Sequence, residues 1–358
     1  MSVPFDLSSA IELLAPNLPR KELRPAGIEG LLAIASRLPG DPVTCMYFEY
    51  GLGDALERAD LSVAVDAARV GDALRSFADV ALRSAGWQRL HTLAEQIAAA
   101  ETVGQGEVGR VWLEFDHPSW REAPDPGERP PGVFVEWKRS RSDSWSRAEH
   151  GARVLNVAAA LAGPASSARM CGAIGRTIGA LPAAARPQYV GVFLSRYPST
   201  LRLCLTGLRG EAVTSFLAAV EWQGDLRAAR ELVALLDHTT RTGPDVVDID
   251  IGNGVEDELG LEYVLARAQR SCDVAGDAPL AELVARGWCL PDNSAELARW
   301  PGVVTATLPY HLWPVAVARR VNHIKVTLRG GCTTAKAYLA AELYPLRRTR
   351  NSRPVPPE

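Results

Sequence analysis

The sequence predicts a mixed α/β protein of the α+β type: one ten-stranded, mostly antiparallel barrel with helices outside. Short extended segments recur in five pairs along the chain, and helical stretches separate the pairs. Within most segments, apolar and polar residues alternate, as expected for a strand with one buried face. Ten strands closed into a barrel leave no exposed sheet edge. All five helix-strand-strand-helix units are needed for closure, so we expect a single domain over residues 1–346.

The predicted strands follow one another as hairpin-like pairs. The alternation is clearest in Val246–Ile251, where Asp248 and Asp250 are separated by large aliphatic residues. The five pairs are Val43–Tyr50 with Leu61–Val65, Arg110–Asp116 with Gly132–Lys138, Tyr189–Ser195 with Leu201–Thr206, Val246–Ile251 with Leu259–Leu265, and His323–Leu328 with Ala335–Ala340.

Helical periodicity occupies the segments between the strand pairs. Ala67–Arg83 carries apolar residues at three- and four-residue spacing, which predicts a helix with one apolar face. A second helix is predicted from Trp87 to Ala100, after Gly86. The remaining predicted helices are Glu211–Trp222, Leu226–His238, Leu280–Gly287 and Ser294–Trp300.

Composition limits the classes of function. The 358 residues are 47% hydrophobic and 23% charged, with a net charge of −3, so there is no broad attraction for nucleic acid or anionic lipid. No apolar run approaches the roughly 20 residues that span a bilayer. The chain lacks a signal-peptide pattern, and its cysteines form no close pairs, so we expect a cytoplasmic protein with reduced thiols. The Arg- and Pro-containing tail, residues 347–358, is predicted to be disordered.

Charged residues alternate with large apolar residues on the predicted strands. If the apolar residues face the helices, the charged ones must face the barrel interior. The alternative is an open sheet whose charges form a solvated face. The candidates for the interior are Glu49, Glu114, Glu136, Lys138, Arg202, Asp248, Asp250, Glu262, Lys325, Lys336 and Tyr338.

This layout resembles the ABBA prenyltransferases, in which repeated helix-strand-strand-helix units close a ten-stranded barrel. In that family, cationic and tyrosine side chains on alternate strand positions bind an allylic diphosphate, and Lys-x-Tyr steps recur. Lys336-Ala337-Tyr338 matches such a step, and Lys325, Arg202 and Lys138 occupy comparable places on other strands. The resemblance implies substrate-binding roles for these cations and a catalytic role for Tyr338.

The chemistry of prenyl transfer explains this choice of residue types. Lysine and arginine stabilise a departing diphosphate, and an aromatic face stabilises the allylic cation. A carboxylate in the lumen, Glu49 or Glu114, could accept the proton of an indole or phenol acceptor. The sequence therefore predicts a bacterial tailoring enzyme of specialised metabolism that transfers a prenyl group to an aromatic or peptide acceptor inside the barrel.

Several carboxylates depart from the cationic pattern of that family. Asp248, Asp250 and Glu262 would repel a diphosphate unless Mg²⁺ bridges them to it, so Mg²⁺ is the one cofactor considered. No residues have the spacing of a compact zinc motif. A set drawn from Cys289, His311, His323 and Cys332 is too dispersed in sequence, and we predict no protein-bound metal site.

A second, fainter resemblance is to bacterial proteins encoded beside ribosomal-peptide natural-product genes. It implies a precursor-peptide substrate, partner biosynthetic enzymes, and a redox-free step such as lanthipeptide-type addition of a thiol to a dehydrated residue. Asp248 and Asp250, on one strand face, could then hold a basic or amide-rich segment. A third hypothesis is a non-catalytic, peptide-binding partner protein. The segments behind this resemblance are Val111–Asp116, Asp248–Gly252, Trp300–Gly302, His323–Lys325 and Ala335–Leu339.

Overall fold

In the part of the chain that it describes, the computed structural model contains eleven β-strands. It describes residues 7–18, 25–38, 43–53, 59–77, 84–103, 106–116, 129–139, 144–240, 243–265, 278–307 and 314–346. The strands are β1 (Val43–Gly51), β2 (Ala59–Asp66), β3 (Val108–Phe115), β4 (Gly132–Trp137), β5 (Arg186–Phe193), β6 (Leu201–Thr206), β7 (Val246–Ile251), β8 (Val255–Val264), β9 (Gly302–Ala306), β10 (Val315–Arg329) and β11 (Cys332–Pro345).

Ten of these strands close into an antiparallel barrel, which confirms the predicted fold class. β1 to β8 pair in chain order, β8 pairs with β10, β10 with β11, and β11 returns to β1. Every described pairing is antiparallel. β9 is an additional strand that the sequence did not predict. It pairs with Val315–Arg319 of β10, while the later half of β10 pairs with β8.

Helices pack around the barrel between the strand pairs. They are α1 (Leu7–Leu14), α2 (Pro25–Ala35), α3 (Val70–Leu74), α4 (Ala85–Thr102), α5 (Arg147–Ala162), α6 (Pro164–Ala180), α7 (Glu211–Ala219), α8 (Leu226–Thr240), α9 (Ala278–Ala285) and α10 (Pro291–Arg299). None of the described helices is both long enough and apolar enough to cross a bilayer.

Local sequence explains where these helices begin and end. Ser146 and Glu149 form a capping box at the start of α5. Gly163, at φ +87°, ends α5, and Pro164 begins α6. The described part of the predicted helix Ala67–Arg83 is not one continuous α-helix: α3 is flanked by 3₁₀ turns at Ala67–Arg69 and Arg75–Phe77. Residues 78–83 lie outside the described chain. Gly71, within α3, disfavours a continuous helix.

The two faces of the barrel wall differ in chemistry. Aliphatic residues such as Leu203 and Leu205 of β6 are buried in the hydrophobic core between wall and helices. Their neighbours Arg202 and Cys204 line the interior cavity instead. The helices supply large apolar partners to the core; Trp87 of α4, for example, stacks on Phe77 with ring centroids 4.6 Å apart. The predicted inward orientation of the charged strand face is therefore observed.

The barrel has two distinct ends. At one, here the turn end, short hairpins join β5 to β6, β7 to β8 and β10 to β11. The β10–β11 turn uses Gly330 and Gly331 at φ +54° and +77°, the conformation of a tight hairpin turn. At the other, here the helix end, the helices connect successive strand pairs. The predicted disordered tail, 347–358, lies outside the described residues.

Candidate active site in the barrel lumen

A cavity of about 790 Å³ occupies the barrel interior. Its volume is within the range of pockets that enclose small-molecule ligands. Asp250 lies beside it on β7 and contacts the lining residue Arg202. The predicted site residues that line the cavity are Glu49, Glu114, Arg202, Asp248, Glu262, Lys325, Lys336 and Tyr338.

Lys138 does not join this group. β4 ends at Trp137, so the alternation of strand residues does not determine where the Lys138 side chain points. Its ammonium lies 2.7 and 2.8 Å from the Glu101 carboxylate oxygens of α4 and 3.2 Å from the Gly106 carbonyl. Lys138 therefore ties a helix to the barrel, and it is not among the residues that line the cavity.

Lys325 and Asp248 form a buried ion pair at the centre of the wall. The Lys325 ammonium donates to the Asp248 carboxylate and lies 3.8 Å from Glu262 Oε1. Burial alone would lower the pKa of Lys325, but Asp248 raises it overall. Burial acts to raise the pKa of Asp248, but Lys325 and Arg202 bring it below its ordinary value. Both groups therefore carry charge. Gly260 leaves them room, since a Cβ there would lie 2.7 Å from Lys325 Cε.

The pKa of Glu262 shifts in the opposite direction to that of Asp248. Its burial, together with the negative charge of Asp248, raises the pKa of Glu262 well above its usual range. The raised pKa favours the neutral form of this carboxyl group, which can donate a hydrogen bond. Of the two acids beside Lys325, Asp248 is the one whose pKa is lowered.

Lys336 and Glu49 form a second cluster on β11 and β1. The Glu49 carboxylate accepts from Ser62 Oγ at 3.0 Å and from Lys336 Nζ at 3.4 Å. Burial acts to raise the pKa of Glu49, but Lys336, Lys325 and the Ser62 hydrogen bond lower it overall. Glu49 is therefore a buried, ionised carboxylate. The Lys336 side chain is 41% exposed, which leaves its ammonium accessible from the cavity.

Glu114 has the opposite electrostatic character. Burial and then the charges of Glu49 and Asp116 raise the pKa of Glu114 well above its usual value. Arg196, from the β5–β6 turn, lies 3.2 Å from Glu114 and 2.7 Å from Asp116, whose pKa burial raises to about 7. Two nearby carboxyl groups whose pKa values are shifted in opposite directions are suited to different roles. Glu49 is the candidate base, and Glu114 is a candidate hydrogen-bond donor.

Arg202 is held by two acids. Its guanidinium makes a bidentate contact with Asp250, at 2.7 and 2.8 Å, and also pairs with Glu258. It lies over the Phe193 ring, 4.8 Å from the centroid. Such bidentate pairs fix orientation as well as charge. Arg202 therefore presents a rigid cationic surface near the turn end of the cavity.

Aromatic rings form one wall of the cavity, where Tyr47 and Trp112, which were not predicted from the sequence, join the predicted Tyr338. Tyr47 and Trp112 are 4.9 Å apart between ring centroids, and Tyr338 stacks on His323 at 3.9 Å. Glu136 holds the Trp112 indole by accepting from Nε1 at 3.0 Å. Two-residue periodicity was the signal available: Tyr47 precedes Glu49 by two positions, and Trp112 precedes Glu114 by two, so each pair shares a face.

His323 is a neutral histidine within this aromatic wall. Burial, and next the charge of Lys325, lower its pKa to about 3. Its Nε2 lies 3.7 Å from Glu262 Oε2, and its Nδ1 lies 2.9 Å from the Asn322 amide nitrogen. His323 therefore contributes a flat, uncharged ring to the cavity at physiological pH.

The low pKa of His323 predicts a pH-dependent contribution to stability. The folded pKa is below the unfolded value near 6.5, so the unfolded chain binds the proton first as the pH falls. The free energy of unfolding of the wild type should therefore fall as the pH is lowered from 6.5 to 3. In His323→Gln this fall should be smaller, by up to about 1.4 kcal/mol per pH unit. Urea titrations at several pH values would measure it. Parallel curves for the two proteins would show that His323 is not held neutral.

The carboxylates of the cavity are not arranged as a metal site. Within the described ranges, no group of three His, Cys, Asp or Glu side chains could hold a metal ion. Asp248, Asp250 and Glu49 instead have lysine or arginine partners. Of the dispersed zinc candidates, His323 and Cys332 line the cavity, Cys289 does not, and His311 lies outside the described residues. The resident residues do not fit the Mg²⁺ bridge considered from the sequence.

Comparison with known proteins identifies the fold. No protein-family model matches the chain, and no curated protein matches it significantly. Among solved structures, it is similar to 6-dimethylallyltryptophan synthase from Micromonospora olivasterospora, in complex with DMASPP and Trp, at TM-score 0.56 and 15% identity over 94% of this chain and 97% of that chain. Another 6-dimethylallyl tryptophan synthase structure gives TM-score 0.55 and 15% identity over 94% and 96%. The chain therefore has the barrel fold of the ABBA-type prenyltransferases, as its layout predicted.

Proposed function

We propose that this protein transfers a prenyl group from an allylic diphosphate to an aromatic acceptor in the barrel lumen. One observation carries the proposal: Lys325 and Lys336 are directly opposed on β10 and β11. The neighbouring pair of inward-facing residues on the same two strands is His323 and Tyr338, whose rings stack. Opposed like charges are unfavourable on a sheet, and in this protein Asp248 and Glu49 lie beside the two ammonium groups. A diphosphate would bridge the two ammonium groups and leave its allylic carbon against the rings.

Each residue type then has a role in the reaction. The carbon–oxygen bond of the allylic diphosphate breaks, and Lys325, Lys336 and the nearby Arg202 stabilise the departing diphosphate. The aromatic faces of Tyr338 and its neighbours stabilise the allylic cation. A bond forms to the acceptor ring, and the ionised Glu49 takes the proton that the ring releases.

The electrostatic state of the cavity reduces the repulsion that its acids would cause. The raised pKa values of Glu114 and Glu262 favour their neutral forms, which reduces the negative charge in the cavity. Of the other lumen carboxylates, Asp248 and Glu49 lie beside Lys325 and Lys336, and Glu258 pairs with Arg202. An anion can therefore approach the half-exposed Lys336 from the cavity, next to the more deeply buried Lys325. A role in bacterial specialised metabolism is consistent with the fold.

The peptide-tailoring hypotheses have less support. Asp248 and Asp250 are buried and already contact Lys325 and Arg202, so binding of a basic peptide there would require breaking both ion pairs. The lumen thiol of Cys204 has a pKa well above its usual range because it is buried, which disfavours the reactive thiolate. Neither thiol addition to a precursor peptide nor a non-catalytic peptide-binding role is supported by the comparisons.

Calorimetric titration with dimethylallyl diphosphate tests the proposal directly. Wild-type protein should release or absorb heat on binding, with and without added Mg²⁺, and mass spectrometry should then detect an indole acceptor enlarged by one prenyl unit. Lys138→Met is the matched control, because it removes a lysine whose ammonium contacts Glu101 outside the cavity. It should bind like the wild type. Absence of binding heat in both conditions would overturn prenyl transfer.

A further inference from the structure

Two β-bulges place carboxamide side chains at the helix end of the cavity. The register of β5 shifts between Pro187 and Tyr189, and that of β10 shifts between Val321 and His323. Each bulge inserts one extra residue, so two consecutive side chains can face the same side of the wall. Gln188 lines the cavity together with Tyr189, and Asn322 lines it together with His323.

Gln188 is the unusual member of this group. It is 2% exposed, and within the described part of the chain neither its Oε1 nor its Nε2 has a hydrogen-bond partner. Asn322 differs, because its amide nitrogen lies 2.9 Å from His323 Nδ1. A buried amide with both its donor and its acceptor unpaired lowers stability, and buried polar groups in native proteins are nearly always paired. Such a group at a cavity wall indicates that a ligand completes its hydrogen bonds.

The charges around Gln188 limit what that ligand can be. Arg139, Arg186 and Arg209 line this end of the cavity together with Asp245, and Glu262 lies further in beside His323. One oxygen of Asp245 already accepts from the Val264 backbone N–H at 2.8 Å. The balance favours a neutral or anionic group over a cationic one.

The position of Gln188 also fits the direction of the cavity. Along β10 from the helix end, the lining residues are Asn322, His323 and then Lys325. The layer of stacked rings therefore lies between the carboxamides and the lysines. An acceptor ring held at that layer would present its far end to Gln188 and its reacting carbon to the diphosphate.

We propose that Gln188 is a specificity-determining residue that binds an amide group on the aromatic acceptor. Its Nε2 donates to the amide oxygen of the acceptor, and its Oε1 accepts from the amide N–H. The acceptor class is therefore an aromatic molecule with a neutral or anionic, amide-bearing substituent. Only the identity of this molecule as a prenyl acceptor rests on the proposed function.

Binding of small indoles without any diphosphate tests this subsite. Titration should use indole-3-propionamide, 3-butylindole as its apolar counterpart, and tryptamine as a cationic one. Wild-type protein should bind the amide roughly tenfold more tightly than either of the others. Gln188→Met should reduce this preference to about twofold or less. Gln223→Met, the same change at an exposed position outside the cavity, should retain it.

Thermal unfolding of the ligand-free protein separates recognition from a structural role. Gln188→Met removes two unpaired buried polar atoms and nearly preserves volume, so its unfolding midpoint should rise. A lower midpoint with an unchanged amide preference would overturn the proposal. So would wild-type protein that binds the three indoles equally or binds none of them. Absence of binding heat with dimethylallyl diphosphate, in contrast, would exclude prenyl transfer and leave the amide preference intact.

Discussion

Replacing Lys325 with Met should lower the free energy of unfolding by about 3–5 kcal/mol, because it leaves an uncompensated charge in the barrel wall. Asp248 is 2% exposed, and Lys325 donates to its carboxylate. Removing one partner of a buried ion pair costs far more than removing both, since the remaining charge has lost its solvation and its counter-ion. Urea denaturation at pH 7 would measure the effect.

A second variant distinguishes stability from ligand binding. Lys325→Met combined with Asp248→Asn removes both charges and should recover most of the lost stability. It should not recover affinity for the diphosphate, because the ammonium that we place against the ligand is still absent. If Lys325→Met had the stability of the wild type, the buried charge of Asp248 would not depend on this lysine. Recovery of diphosphate affinity in the double variant would place the diphosphate elsewhere.

The barrel was predictable because most of its strands alternate apolar and polar residues where they form the wall. In β7, Asp248 and Asp250 alternate with aliphatic residues. The aliphatic residues are buried in the hydrophobic core, as the alternation predicts. β9 was missed because Gly302–Ala306 is short and pairs only with the early half of β10, which the sequence analysis left out. That half was obscured by the bulge near Val321, which interrupts the two-residue period of β10.

The site was predictable in its membership and less so in its chemistry. Periodicity placed Glu49 and Lys336 in the lumen, and it misplaced Lys138 only because β4 ends one residue earlier. The protonation states could not be predicted, since the raised pKa of Glu114 depends on its burial and on charges from other segments. Gln188 was missed for a different reason: a bulge turns a residue inward where alternation would turn it outward.

Lys336 and Tyr338 provide the most direct test of which lumen residues bind the diphosphate and which stabilise the allylic cation. They lie two positions apart on β11 and share its inward face, so one bound molecule can contact both. Lys336→Met keeps the length of the side chain while removing its charge. It should weaken diphosphate binding by about 1.5–3 kcal/mol, the range for a charge-assisted hydrogen bond. Tyr338→Leu should leave that affinity nearly unchanged and instead slow turnover or let water capture the cation.

The two variants should also differ in the pH dependence of turnover. Lys336 lowers the pKa of Glu49, so Lys336→Met should raise the pKa of this base and move the acidic limb of the rate profile to higher pH. Tyr338→Leu leaves the Lys336–Glu49 contact in place, and its acidic limb should not move. Calorimetry with dimethylallyl or geranyl diphosphate and single-turnover rates across pH would measure both effects. If Lys336→Met bound the diphosphate as tightly as the wild type and its acidic limb did not move, the ammonium would contact neither the diphosphate nor the base. Lys336 would then be a structural lysine of the barrel wall.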